Sequence, residues 1–584
     1  MYFRELAEYF YKLEQTDSRN QMTEILADLF RNCKPDEIDK VCYLSLGKLV
    51  PQYESYEFNI AEKLIFEVLA RAYATEKQDV QRQFGLRGDL GLVAETYAEA
   101  VGGSRLKENL SINDVFQKFW EIAGAGGEGS VEKKITLMAD LLQSLDPRSA
   151  KYIVRIPLKK MRLGFSDMTI LDALSYMTAG NKTLRSKIEP YYNISADIGK
   201  IARVFKESGI EGLEKIVVEP GIPILTAAAE RLPNAQAIVD KIGGEFVVEP
   251  KFDGFRMQIH KRGDEIRIFS RNLENTTDMF PDICLAAQKI VADTIIFEGE
   301  AIGYNPDTQE FLPFQETVQR KRKYDIYEMA KKIPLKLFVF DLLYINGEIV
   351  MYRPQQERRK LLEEVFFHKG ETFELAQEKI ITEAKELERY FQETITQGLE
   401  GVMVKKPDAP YKAGARDFSW IKYKREEHGQ LQDTIDCLIM GYYFGQGKRT
   451  GFGIGALLVG VYDKETDTFP TIAKIGTGLT DDQWREIKRQ CDEITAKSKP
   501  ARYTVCKELV PDSWVLPELV TVVRADEITR SPLHSAGRSD KEPGYALRFP
   551  RVMELLRTDK NPEEVTTVSE IKGMDLNQQK ANSG

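Results

Sequence analysis

The chain has 584 residues, of which 42% are hydrophobic and 30% charged, and its formal net charge is −9. This length suggests about three or four domains of roughly 150 residues each and excludes collagen-like chains, disordered chains and mini-proteins. No uninterrupted apolar run reaches membrane-spanning length, and the first residues predict an amphipathic helix rather than a signal peptide. We therefore expect a soluble intracellular protein with no membrane partner.

The cysteines and the net charge limit which metal sites and nucleic-acid-binding surfaces are expected. The six cysteines form no CxxC pair, and only four histidines accompany them. This leaves no plausible ligand set for structural zinc, so we expect reduced thiols in a reducing compartment. The negative charge argues against uniform coating of nucleic acid. It is compatible with a basic groove on an acidic body, because steering depends on the local field.

The first third of the chain has the pattern of helices. Ser18 is a candidate cap for a helix whose apolar residues recur at three-and-four spacing, and this period returns at residues 61–74, 131–145 and 168–177. Strand-like alternation is rare before about residue 215. Residues 217–225 contain two prolines and a glycine, which is typical of a linker or of the entry to a domain.

Strand patterns follow that linker. Short strands are predicted at residues 246–249, 255–260 and 265–269, with a glycine turn at 261–264 that makes a hairpin of the last two. Beyond residue 434, short β runs are predicted at 437–443, 455–462, 469–475 and 519–523. A helix near residues 481–497 interrupts these runs. This last block fits a small barrel such as an OB-fold.

The sharpest chemical signal is the motif EPKFDG at residues 249–254. It places Lys251 at the end of a predicted strand, followed by Asp253 and a glycine turn. A lysine attacks as the free amine, and phosphorus is an electrophile of the kind such an amine needs. The alternative is an exposed Lys–Asp pair beside a hairpin, because motifs this short recur by chance.

Five further motifs follow in order: SRN at 270–272, FEGE at 297–300, FDLLY at 340–344, EGVMVK at 400–405 and WIKYK at 420–424. Each attaches polar residues to a strand or strand end, from which a rigid scaffold directs them into one cleft. Taken singly, each has an ordinary structural interpretation, such as Phe340 in a core or Lys422 on an exposed strand face. Their joint order and spacing favour a single site.

With these motifs the chain resembles the nucleotidyltransferases that form a covalent lysyl-nucleotide, which include ATP-dependent DNA ligases and mRNA capping enzymes. Over nearly its whole length it is similar to the replicative DNA ligases of archaea and eukaryotes. The other motifs of this resemblance are GDLGLVAE at 88–95, RLG at 162–164, GYYFGQGK at 441–448, RFPR at 548–551 and RTDK at 557–560.

The resemblance implies a multidomain α+β fold. Its expected parts are an all-α DNA-binding domain at residues 1–216, an α+β adenylation (nucleotidyltransferase) domain at 217–429 and a C-terminal OB-fold β-barrel at 430–584. It also implies an ATP-dependent DNA ligase that seals 5′-phosphate/3′-hydroxyl nicks in duplex DNA through lysyl-AMP and adenylated DNA. The expected processes are DNA replication, repair and recombination.

The resemblance also implies roles for matching residues at the nucleotide. Lys251 takes AMP from ATP as a phosphoramidate and releases pyrophosphate. Glu249 reads the adenine edge, and Phe340 stacks on the adenine face. Arg256 and Arg271 contact the ribose and phosphate, or the 5′-phosphate of the nick.

Charged residues complete the implied site. Glu300 and Glu400 bind ribose or organise Mg²⁺ or Mn²⁺, which suit carboxylate ligands. The α-phosphate is contacted by Lys422 and Lys424, with support from Lys405 and Arg416. In the last motif, Arg557 and Lys560 orient the leaving pyrophosphate. Residues 407–417, which contain Arg416, depart from the family pattern more than their flanks do.

DNA contacts are predicted from three further segments. The basic runs KKMR at 159–162 and RKRK at 320–323 fit either solvated charge or DNA phosphates. Gly88 and Gly91 are expected to let backbone amides approach phosphates. We find no clear docking peptide for a sliding clamp, which stays a candidate partner, and no nuclear-targeting tail. We expect a monomer in a prokaryotic cytoplasm.

Four alternatives differ in what they require. A capping enzyme has no need of some 215 helical residues at the N-terminus, and an RNA ligase lacks the DNA-binding resemblance. An NAD-dependent ligase would need a four-cysteine zinc module, which the cysteine spacing forbids. A silent DNA-binding scaffold predicts decay at the catalytic positions, yet those residues are intact: Lys251, Glu300, Glu400, Lys422 and Lys424.

Overall fold

The computed structural model describes residues 1–16, 18–101, 109–232, 234–305, 310–312, 314–322, 324–366, 372–397, 399–424, 434–445, 453–539, 542–557 and 560–582. It divides into two compact units, Met1–Lys424 and Arg425–Gly584. Among the described residues, no helix is both long and apolar enough to cross a membrane.

The first unit begins with helices that share one hydrophobic core. In chain order they are α1 (Phe3–Glu14), α2 (Arg19–Asn32), α3 (Pro35–Ser45), α4 (Glu62–Tyr73), α5 (Lys77–Arg87), α6 (Leu90–Val101), α7 (Ile112–Gly124), α8 (Ser130–Ser144), α9 (Pro147–Arg155), α10 (Asp167–Ala179), α11 (Arg185–Ser195) and α12 (Ile198–Leu213). Polar caps set several of their starts. Ser18 accepts from the amide of Gln21, and Asp146 accepts from that of Ser149. The predicted helical third is confirmed.

Two sheets follow in the same unit. Their elements are β1 (Ala228–Arg231), α13 (Ala235–Ile242), β2 (Phe246–Lys251), β3 (Phe255–Arg262), β4 (Glu265–Ser270), α14 (Pro281–Gln288), β5 (Thr294–Gly303), α15 (Phe314–Thr317), α16 (Ile326–Lys332), β6 (Leu335–Ile345), β7 (Glu348–Ile349), α17 (Gln355–Val365), β8 (Phe373–Leu375), β9 (Lys379–Ile381), α18 (Ala384–Thr396), β10 (Gly401–Lys405) and β11 (Arg416–Lys424). One sheet has the order β1-β11-β10-β2-β9. The other has the order β4-β3-β5-β6-β7, with β8 beside β6. The predicted hairpin is β3–β4, and Gly263 in its turn has φ +57.

The segment predicted as a linker or domain entry packs against the second of these sheets. The amide of Gly221 donates to Nδ1 of His260 at 3.0 Å, and that of Ile224 donates to Gln258 at 2.8 Å. Both acceptors lie on β3. The segment then continues into β1, which pairs in parallel with β11. The helices are therefore connected to the strands by a packed segment.

The second unit is rich in strands. Its elements are β12 (Ile435–Tyr443), β13 (Ala456–Gly460), β14 (Phe469–Ile475), α19 (Asp481–Glu493), β15 (Thr495–Ala496), β16 (Tyr503–Thr504), β17 (Ser513–Val515), β18 (Val520–Arg524), β19 (Glu527–Ser531), β20 (Gly544–Arg548), β21 (Arg551–Glu554) and α20 (Val568–Asn582). The main sheet follows the order β15-β17-β12-β13-β14-β16, while β18 pairs with β12 and β21.

The main sheet of this unit is not a closed barrel, which corrects the expected OB-fold β-barrel. Closure requires the two outer strands to pair with each other. Within the described residues, β16 pairs only with β14, and β21 only with β18, so the sheet stays open. The predicted runs at residues 437–443, 455–462, 469–475 and 519–523 do correspond to strands.

Candidate active site

Lys251 lies at the C-terminal end of β2, where the neighbouring strand β10 begins. Its ammonium group forms an ion pair with the carboxylate of Glu400, the residue just before β10. Lys424, at the end of β11, is 3.4 Å from the other oxygen of that carboxylate. Adjacent antiparallel strands thus bring together two lysines and a glutamate from three distant motifs.

Charge governs ionisation at Glu400. Burial opposes the carboxylate form, but the charges of Lys251 and Lys424 outweigh it and lower the pKa of Glu400. Glu300, on β5, shows the opposite balance. Burial raises the pKa of Glu300 to about 7 against the attraction of Lys251 and Arg256, and the carboxylates of Glu400 and Asp253 add to the rise.

Lys422 lies in a cluster of positive charge. Burial is the largest cause that lowers the pKa of Lys422. Neighbouring cations lower it further, namely Lys424, Arg416, Lys251 and Arg271. Such a cluster, partly shielded from water, is suited to a group with several negative charges, such as a phosphate chain.

A buried ion pair lies deeper on the same sheet. Lys405 Nζ is 2.7 Å from Glu249 Oε1, and both side chains are almost fully buried. The lysine also donates to the carbonyl of Phe340 at 3.2 Å and lies 5.0 Å from the centre of the Phe340 ring. Burial raises the pKa of Glu249 despite this pair, and Glu378 adds to the rise. The predicted adenine-edge residue therefore lies beside the predicted stacking residue.

The side chain of Arg256 lies near the Phe340 ring and is held there by polar contacts. Its guanidinium is 2.5 Å from Glu298 Oε2, donates to the carbonyl of Ala227 at 2.7 Å and lies 5.3 Å from the Phe340 ring centre. Its Nε is buried without a hydrogen-bond partner among the described atoms. Glu298 also accepts from the hydroxyl of Tyr411 at 2.9 Å. The sequence motifs do not reveal Tyr411, because it lies in the segment that departs from the family pattern.

The structure thus gathers most of the predicted site residues into one region of the first unit. They are Glu249, Lys251, Arg256, Arg271, Glu300, Phe340, Glu400, Lys405, Arg416, Lys422 and Lys424. Arg557 and Lys560 lie in the second unit, where both form ion pairs with Asp436. Residues 558 and 559 of that motif, and 446–448 of the GYYFGQGK motif, lie outside the described residues.

Comparisons with known proteins identify the family of the chain. Three family descriptions match successive parts of the chain: "DNA ligase N terminus" over residues 2–175, "ATP dependent DNA ligase domain" over 226–424 and "ATP dependent DNA ligase C terminal region" over 450–560. The chain belongs to the ATP-dependent DNA ligase family. These enzymes seal nicks in DNA with ATP, and replication and repair are their typical roles. DNA is accordingly a partner of the chain.

Relatives match this ligase over its whole length. A "Probable DNA ligase" of Dictyoglomus turgidum is 49% identical over 581 residues, covering 99% of this chain and 98% of the relative. A "DNA ligase" of Sulfolobus acidocaldarius is 39% identical, covering 98% of each chain. The solved structure "Pmar-Lig_PreS3" has a TM-score of 0.54 at 17% identity, covering 94% of this chain and 98% of that one, and it shows a shared fold.

In the helical region, the predicted DNA-contacting lysines are paired with acids. Lys159 is 2.7 Å from Glu57, and Lys160 is 2.5 Å from Glu62. All four side chains are substantially exposed, so these pairs are weak and open to exchange for phosphates. This arrangement is compatible with a DNA-binding surface.

Two residues of the segments predicted to contact DNA, Gly91 and Arg320, make contacts within the protein, while DNA contact by the rest of these segments stays a prediction. The amide of Gly91 donates to Asp89 at 2.7 Å, and a Cβ there would lie 2.7 Å from the carbonyl oxygen of Lys151, so this glycine serves the packing of α6 on α9. Arg320 is 1% exposed and is paired with Asp282 at 2.6 Å. It therefore anchors its loop to α14, while Lys323 lies outside the described residues.

Proposed function

We propose that this ligase seals 5′-phosphate/3′-hydroxyl nicks in duplex DNA through a covalent AMP adduct on Lys251. The observation that carries the proposal is the convergence at Lys251 of a carboxylate and several cations from separate strands. The amine attacks the α-phosphorus of ATP, the bond to the β-phosphate oxygen breaks, and pyrophosphate leaves. AMP then passes to the 5′-phosphate of the nick, and attack by the 3′-hydroxyl releases it.

Each step calls for groups that the site contains. Lys251 must lose a proton before it attacks, and the carboxylate of Glu400 is in contact with it. Phosphoryl transfer depends on charge neutralisation and in-line placement, which the cations around Lys422 are suited to supply. Phe340 would stack on adenine and Glu249 would read its edge. Arg256 and Arg271 would contact ribose and phosphate.

We propose Glu300 and Glu400 as the residues that hold Mg²⁺ or Mn²⁺. No group of three or more potential metal ligands occurs among the described residues, so the protein would provide only part of the coordination shell. This fits Mg²⁺, which commonly takes one or two carboxylates together with substrate phosphates and water. Burial raises the pKa of Glu300, with a further contribution from the carboxylates of Glu400 and Asp253, and a bound cation would favour its ionised form. When bound, the metal would neutralise charge on the phosphates.

Several finer assignments are part of this proposal. Domains at residues 1–216, 217–429 and 430–584 would bind DNA, form the adduct and complete the site, with Arg557 and Lys560 directed at pyrophosphate. The enzyme would act as a monomer. A cytoplasmic location in a prokaryotic cell is supported by the bacterial and archaeal sources of the relatives.

A nick-sealing assay tests the proposal. A labelled duplex with one 5′-phosphorylated nick should be sealed with ATP and Mg²⁺ and should stay open when Lys251→Ala replaces the wild type. Lys385→Ala, which changes an exposed lysine on α18, is the matched control and should seal normally. Sealing by Lys251→Ala would contradict the proposal. Preference for RNA ends would favour an RNA ligase, and adduct formation with GTP alone would favour capping chemistry.

A further inference from the structure

The C-terminal turn of α11, in the helical region, is built into the core of the nucleotide site. Ile194 is 6% exposed and packs in one cluster with Tyr411 and Trp420, against which Phe340 also packs. Trp420 makes an edge-on contact with the Phe340 ring, with the ring centres 6.1 Å apart. A residue of the helical region thus supports the aromatic group predicted to bind adenine.

Asn193, next to Ile194, forms hydrogen bonds with two segments of the strand region. Its side-chain amide donates to the carbonyl of Ala413 at 2.9 Å, and its backbone carbonyl accepts from the amide of Leu225 at 2.7 Å. The carbonyl of Leu225 in turn accepts from the amide of Gly414 at 3.2 Å. Asn193 therefore connects the linker to the turn that precedes β11.

That turn closely fits the side chain of Asn193. Gly414 has φ +69, and a Cβ at this position would lie 2.8 Å from Asn193 Oδ1. The next residue, Ala415, accepts from the amide of Ala228 at 2.9 Å, and Arg416 then begins β11 opposite Ala228. The position from which Arg416 extends is therefore set by the turn that Asn193 contacts.

We propose that Asn193 is a positioning residue for Arg416, and that the helical region thereby takes part in formation of the lysyl-AMP adduct as well as in DNA binding. This inference rests on the proposed function, in which Arg416 supports the cations at the α-phosphate. Arg416 begins β11, the strand that also carries Lys422 and Lys424, so displacement of its backbone would move its charge relative to those lysines. An error of about 1 Å in such a group costs up to about a hundredfold in rate.

The test is the single-turnover rate of adduct formation at saturating ATP, followed by intact mass in the full-length protein. Asn193→Asp keeps the size of the side chain but cannot donate to Ala413, and Asn193→Ala removes the side chain. Each should lower the maximal rate by about tenfold. Both should leave the affinity for nicked DNA unchanged, and Asn20→Ala, an exposed asparagine on α2, is the control.

The double variant separates positioning from general weakening of the structure. Arg416→Ala should slow adduct formation, and Asn193→Ala should cause no further loss in that background, because its effect acts through Arg416. Multiplying losses, an unchanged rate, or a defect confined to DNA affinity would overturn the inference. Failure of the proposed function would look different, because Lys251→Ala would then still form the adduct.

Discussion

The side chains of Lys251 and Glu400 form an ion pair although they are 149 residues apart in sequence. The pair follows from the register of two strands, since Lys251 lies opposite Gly401 where β2 and β10 pair. The ionised carboxylate therefore holds the amine of Lys251 in position by charge. The carboxylate is thus linked both to the nucleophile and to the second lysine, Lys424.

Glu400→Gln should therefore slow formation of the lysyl-AMP adduct by at least about a hundredfold, because a preorganised charge at the reacting centre is lost. Single-turnover labelling with ATP measures this rate. Glu364→Gln, at an exposed position on α17, controls for loss of a negative charge. A Glu400→Gln rate within about threefold of wild type, after that control, would exclude this role.

The buried pair of Glu249 and Lys405 should respond to substitution non-additively. Lys405→Met leaves Glu249 buried and unpaired, which should lower the free energy of unfolding by about 3–5 kcal/mol. Adding Glu249→Gln should recover part of that loss, because no buried charge then lacks a partner. Urea unfolding of Lys405→Met, Glu249→Gln and the double variant measures the coupling. Strictly additive losses would mean that the two charges do not interact.

His260 predicts a pH dependence of stability. Burial lowers its pKa to about 3, and Arg267 and Arg262 contribute, while Nδ1 accepts from the amide of Gly221. The unfolded chain binds this proton near pH 6.5, so the stabilisation is complete above that pH and is lost as pH falls toward about 3. Between pH 7.5 and 5 the loss should be about 2 kcal/mol.

Denaturant unfolding at those two pH values checks this expectation. His260→Gln, which cannot titrate, should show a smaller difference between pH 7.5 and 5 by about that amount. Its stability at pH 7.5 sets the baseline for the packing cost of the substitution. Equal pH dependence in both proteins would show that His260 is not responsible.

Lys159 and Lys160 should contribute to the salt dependence of DNA binding. If each neutralises one phosphate, their combined change to alanine should reduce the slope of log affinity against log salt concentration by about 2. Fluorescence anisotropy with nicked duplex at several salt concentrations measures the slope. Lys133→Ala with Lys187→Ala, on α8 and α11, provides a control of equal charge. An unchanged slope would show that Lys159 and Lys160 do not neutralise DNA phosphates.

Local pattern predicts much of this fold. The spacing of apolar residues predicts the helices. The alternation of apolar and polar residues, together with turn residues, predicts the bounds of β2, β3 and β4 within one or two residues. The closed barrel is wrong because closure depends on pairing between strands far apart in sequence, on which local alternation has no bearing. The same limit applies to the ends of helix α19, whose predicted C-terminal residues form the short strand β15.

For the candidate site as well, local sequence predicts some features and not others. Motifs at strand ends predict Lys251, Glu400 and Lys424, because strand ends in one sheet converge. The sequence does not predict which group each of these side chains contacts. In the sequence Gly91 resembles a phosphate-binding glycine, but in the structure α9 packs closely against it. Arg320 resembles an exposed basic residue in the sequence, but in the structure it forms an ion pair with Asp282. Such contacts arise from tertiary packing, and so does the contact of Asn193 with Ala413.

The most direct test of the central claim is the intact mass of the full-length protein after incubation with ATP and Mg²⁺, before and after nicked DNA is added. We predict a gain of one AMP that is absent from Lys251→Ala and that disappears when a 5′-phosphorylated nick is supplied. An adduct on Lys251→Ala, or no adduct on the wild type with ATP, would contradict the account.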